Sequence, residues 1–273
     1  MLGKLIKHEL RSTWRIPALM IGVLMVISLV TGGTLALLLW SMENGRGWIG
    51  LPFSLVALVL LYYAALIAAN FGVVLYQAVH FYKTMFTDEG YLTHTLPVTS
   101  HQLLLSKAAV ICIWNLTCII GVFVSVFLLG GSFMVAFAEE FAEIKDEIMY
   151  VLRMGMMENW GGLIVSLGAM TIVSVFYSAA IIIGSISIGQ MLRKHRILGA
   201  IGAYFGISSV VGLLSMIIST VIMFTSLMVA DDVMRVFSIY TPTYLVMALI
   251  EGLASVGLYF LSEYLVRRHL ELE

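Results

Sequence analysis

LPFSLVALVLLYYAALIAANFGVVLYQA, residues 51–78, decides the fold. It contains no Asp, Glu, Lys or Arg, and it exceeds the roughly 20 residues an α-helix needs to cross about 30 Å of hydrocarbon. Apolar and polar residues do not alternate along it, so it reads as a helix and not as a strand of a barrel. Five further stretches share this character, near residues 16–40, 108–137, 163–188, 199–228 and 241–266. The expected fold is therefore an all-α integral membrane protein with six transmembrane helices, residues 1–273 forming one transmembrane domain. Several stretches are longer than the bilayer requires, which predicts tilt or extension beyond it. Pro17, Pro52, Pro97 and Pro242 fall at segment edges or in a loop, where a missing N–H costs little.

Composition agrees with this reading. The chain is 61% hydrophobic and 11% charged, against about 25% charged in a soluble domain, and there is too little polar surface to cover a water-facing core. A net charge of −1 gives no reason to expect a nucleic-acid partner. The placement of the basic residues is more informative. Eleven lie in the N-terminal segment, in the loops after the second and fourth spans, and in the C-terminal tail. Only Arg46, Lys145, Arg153 and Arg235 lie in the opposite loops. By the positive-inside rule both termini face the cytoplasm, and the plasma membrane is the expected location. Cys112 and Cys118 share one apolar segment and face different sides of it, so they form neither a disulfide framework nor a zinc pattern. The first apolar run is too long for a cleavable signal peptide.

The polar regions each suggest a role. In residues 1–15, Leu2, Ile6, Leu10 and Trp14 recur every fourth position. Lys4, Lys7, His8, Arg11 and Arg15 occupy the remainder. This pattern predicts an interfacial helix in the headgroup layer, with Lys4, Lys7, Arg11 and Trp14 as its anchors and a turn into the first span at Pro17. The loop FYKTMFTDEGYLTHTLPVTSHQLLLSK, residues 81–107, is patterned beyond what a connector needs. Thr87 and Asp88 can cap a short helix, Pro97 ends it, and Thr99 with Gln102 forms a capping box for the next helix. Residues 139–158 read as an acidic amphipathic helix on the outer surface, without the regular spacing of a calcium loop. Within the spans, Asn70, Gln77 and Asn115 are uncharged. Glu251 is the exception, because an acidic residue at mid-membrane costs about 2.5–3.5 kcal/mol on insertion scales. It is either an intramembrane functional site or a side chain wetted near the outer headgroups. Gly202-x-x-x-Gly206, with Gly199 and Gly212 nearby, would permit a close helix crossing. No G-x-x-x-x-G-K-[ST], H-E-x-x-H or G-x-S-x-G pattern occurs, and all six histidines fall outside the spans as read here. No catalytic, cofactor-binding or metal site is therefore expected on this chain.

With those residues in view, the chain resembles the permease subunits of type-2 ATP-binding-cassette (ABC) exporters. The similarity is carried by Glu89-Gly90-Tyr91-Leu92, then Leu96-Pro97-Val98-Thr99, then Gln102 to Lys107, with support from Lys4-Leu5-Ile6-Lys7-His8-Glu9-Leu10. The resemblance implies a cytoplasmic coupling helix between spans two and three that docks a separate ATPase through Asp88, Glu89, Gly90, Tyr91, Leu92 and Pro97. It also implies ATP and Mg on that partner, and a second permease chain in a homo- or heterodimer. The alternatives of another class are an autonomous secondary transporter or channel, and a membrane scaffold or sensor subunit. A secondary transporter commonly has several ionisable groups or broken helices at mid-membrane.

Overall fold

Long apolar runs without internal helix breakers leave the backbone one way to satisfy its own hydrogen bonds, and the chain takes it. The structure, a computed structural model, describes residues 2–43, 51–87, 99–136, 145–147, 149–150, 153, 160–192, 194–229 and 235–268, and among these there is no strand. The main helices are α1 Leu2–Thr13, α2 Arg15–Glu43, α3 Leu51–Phe86, α4 Ser100–Ala136, α5 Trp160–Gly189, α6 Arg196–Val229 and α7 Arg235–Arg268. From α2 to α7, all six are long and apolar enough to cross a membrane, consistent with a multi-pass membrane protein.

The helices group into two compact units. One contains Leu10–Gln77 and Ile113–Val151. Here the Tyr62 hydroxyl meets Ser125 Oγ at 2.6 Å in a buried bond joining α3 to α4. Gly72 admits the tip of Met20, and Gly121 admits Ile21, so α2 seats closely against both. The Trp114 indole N–H donates to the Thr13 hydroxyl at 3.0 Å, and that hydroxyl donates back to the Leu10 carbonyl. The other unit contains Met1–Glu9, Ala78–Cys112 and Leu152–Glu273. In it α5, α6 and α7 pack against one another. α5 is the central element, with Ala179, Ile181, Ile182 and Ile183 buried and Leu258 of α7 laid against Gly184.

Several boundaries differ from the sequence expectation. The chain breaks at Trp14, before Pro17, which sits buried in the first turn of α2. Proline cannot donate to the carbonyl four residues back, so the helix is weakest one turn upstream of it. Pro242 lies inside α7, because that helix starts more than a turn earlier than the apolar run does. The Thr87 hydroxyl donates to the Lys83 carbonyl at 2.6 Å, and the short helix expected after it lies outside the described residues. Thr99 behaves as expected, its hydroxyl accepting the Gln102 N–H at 3.3 Å where α4 begins. Among the described residues no close crossing is made at Gly202 or Gly206, since a Cβ at either would meet nothing within 4 Å. The tight approach is at Gly189, whose Cβ would lie 2.5 Å from the Ala200 nitrogen.

Candidate functional site

Two polar places stand out in the unit built around α5, and sequence reasoning named only part of each. The first joins α1, α3 and α4. Glu9 Oε1 meets His80 Nε2 at 2.8 Å, and the Lys107 ammonium donates to the same oxygen. Lys107 is only 5% exposed, so its charge needs an acidic partner, and this carboxylate supplies one. Burial pushes the Glu9 carboxyl up. The hydrogen bond from His80, and the charge and hydrogen bond of Lys107, outweigh it and hold the carboxyl below its ordinary range.

The apolar runs end at 78 and begin at 108, which predicts His80 outside the spans and Lys107 at the end of the loop 81–107. In the structure both belong to helices, α3 and α4, within the segments that qualify as spans. The helices continue through these charges because a partner arrives from α1. A lysine directly preceded by Leu-Leu-Leu-Ser and followed by Ala-Ala-Val-Ile-Cys was the available signal.

The remaining residues of α1 divide by face. Lys4, Lys7, His8 and Arg11 are exposed, whereas Leu5, Ile6, Glu9 and Leu10 are partly covered and Thr13 is buried. Trp14, at the break, is exposed. The expected coupling residues Asp88, Glu89, Gly90, Tyr91, Leu92 and Pro97 lie outside the described residues, as does most of the acidic segment 139–158. Their flanks are well packed. Phe81, Met85 and Phe86 at the end of α3, and Leu103 and Leu104 at the start of α4, are almost fully buried.

The second place is a cavity of about 420 Å³ lined by α5, α6 and α7. Glu251, half-way along α7, faces it, together with Tyr177 of α5 and Ser208, Gly212 and Ser215 of α6. Glu251 Oε2, the Tyr177 hydroxyl and Ser215 Oγ are buried and have no hydrogen-bond partner among the described residues. Ser208, Gly212, Ser215 and Ser219 follow helical spacing, a polar stripe legible in the sequence. Elsewhere in the unit, His101 of α4 contacts Tyr259 and Glu263 of α7, and Glu263 also pairs with Arg267.

No protein-family model matches the chain, and neither a curated protein nor a solved structure does.

Proposed function

We propose that this chain is the permease subunit of an ATP-driven ABC transporter, working as an exporter and coupled to a separate cytoplasmic ATPase. The observation that carries the reading is the Glu9–His80–Lys107 cluster. It fastens α1 to the last turns of α3 and the first turns of α4, the two helices that bracket residues 88–98. Force applied to that segment would reach α1, α3 and α4 together. This is what a docking surface made from Asp88, Glu89, Gly90, Tyr91, Leu92 and Pro97 with an interfacial α1 would require.

In this reading the whole chain is one permease domain in the plasma membrane, with both termini in the cytoplasm. The exposed Lys4, Lys7 and Arg11 lie toward anionic headgroups, and Trp14 sits at the interface. A second permease chain completes the pathway. ATP and Mg belong to the ATPase, whose closure on nucleotide biases a two-state change between inward and outward access. The test is ATP hydrolysis by the purified assembly with Glu89→Ala and Leu92→Asp. Stimulation of the ATPase by the membrane chain is lost while insertion is retained. Unchanged stimulation would remove the assignment.

A second reading, an autonomous secondary transporter, is favoured by one feature, the Glu251 carboxylate facing a cavity amid apolar helices. It predicts substrate movement driven by an ion gradient without any ATPase present.

A further inference from the structure

We infer that the cavity between α5, α6 and α7 is a binding site for an amphiphile with a protonated primary-amine head. The inference rests on the cavity and is independent of the ATPase reading. Tyr177, Ser215 and Glu251, from three different helices, line one space, and each carries a buried polar atom (Oη, Oγ and Oε2) without a partner among the described residues. Such atoms are costly to leave unpaired where water is scarce, so a shared occupant is the economical explanation for their convergence.

The chemistry of the three atoms selects that occupant. All can accept a hydrogen bond and one belongs to a carboxyl group, whereas an ammonium offers three N–H donors and a positive charge that favours the ionised carboxylate. Among the described residues no ion pair to Glu251 supplies that charge. An anionic head would meet like charge, and a quaternary ammonium would bring charge without donors.

The volume points to more than a head group. About 420 Å³ falls within the range of roughly 300–1,000 Å³ usual for small-molecule sites, whereas a water molecule takes up about 30 Å³. Val211, Met216 and Met247 provide an apolar wall for a tail, and methionine adapts to irregular chains. The opening of Gly212 onto this space is real room, since a Cβ there would meet nothing within 4 Å.

The experiment is equilibrium binding of radiolabelled dodecylamine to the full chain in phosphatidylcholine nanodiscs. The wild type is compared with Glu251→Gln, which removes the charge, and with Gly212→Leu, which fills the space. Partitioning into lipid is common to all discs and cancels in the comparison. The expected result is one saturable site per chain in the wild type, weakened at least tenfold in both variants. Gly202→Leu, on the same helix but not lining the cavity, leaves it unchanged. Dodecanoate does not compete, and dodecyltrimethylammonium competes less well than unlabelled dodecylamine. Identical uptake by wild-type and Gly212→Leu discs would overturn the site, and identical uptake by Glu251→Gln discs would overturn the role of the charge. Equal competition by dodecanoate would overturn the ligand class. Should Glu251→Gln fail to fold, judged by its thermal unfolding, Gly212→Leu still decides the matter. Discs containing phosphatidylethanolamine, which carries the same head, distinguish the source: weakened apparent binding assigns the membrane lipid, and unchanged binding assigns a free amine.

Discussion

Glu9 is the residue on which the architecture around α1 turns, because one carboxylate oxygen serves both His80 and the buried ammonium of Lys107. Removing one member of a buried pair costs about 3–5 kcal/mol, chiefly through the charge left behind. Glu9→Ala is therefore expected to release α1 from α3 and α4, read as faster amide hydrogen exchange across residues 2–13. The double variant Glu9→Leu with Lys107→Met removes both charges and should restore most of the protection, because an apolar replacement of a buried pair is often neutral or better. Protection that stays low in the double variant would mean the charges hold α1 in a way packing cannot replace. The pH dependence has a definite sign. The Glu9 carboxyl is depressed in the folded chain, so its contribution is complete above the ordinary glutamate value of about 4.3. It is lost as pH falls through the lower folded value. Protection of α1 should thus be level from neutral pH down to the ordinary carboxylate range and fall only below it. A loss beginning near neutrality would contradict the assignment to Glu9.

At the scale of the helices, two glycine substitutions should separate packing from pattern. Gly189→Ala places a Cβ against the backbone of Ala200, which no side-chain rotation can relieve, so the α5–α6 turn must open. Overpacking of this kind costs about 1–3 kcal/mol and should lower the detergent melting temperature. Gly202→Ala meets open space in a helix and should be neutral or stabilise by about 0.5–1 kcal/mol. The reverse order of melting temperatures would contradict the helix placement. Thr99→Ala loses the hydroxyl that accepts the Gln102 N–H and should weaken the start of α4 by about 1 kcal/mol. These elements also show what a single sequence discloses. The six long helices follow from runs such as 51–78, and the start of α4 follows from Thr99, because both signals are local. His80 and Lys107 carry only a weak local signal of helix interior, because their partner lies 71 and 98 residues away. Glu251 was visible as an oddity. Its convergence with Tyr177 and Ser215 is not local information, since only folding brings three helices onto one cavity.

At the scale of the whole molecule, the proposed permease is a membrane-spanning helical chain whose energy source lies on another polypeptide. The basic residues predict that cysteines introduced at Lys4 and Lys194, in a background without Cys112 and Cys118, react in intact cells only with a membrane-permeant reagent. Labelling by an impermeant one would invert or break the topology. The proposed docking of a soluble ATPase rests on the resemblance in residues 88–107 and on the cluster that fastens α1 beside its flanks. The most direct measurement is purification of the tagged chain from native membranes in mild detergent, with mass spectrometry of the chains that accompany it. The account predicts a stoichiometric soluble ATPase, absent from the preparation when Glu89→Ala and Leu92→Asp are introduced together and the chain still inserts. A chain that purifies alone under conditions preserving other transporter complexes, or an ATPase retained by the double variant, would contradict it.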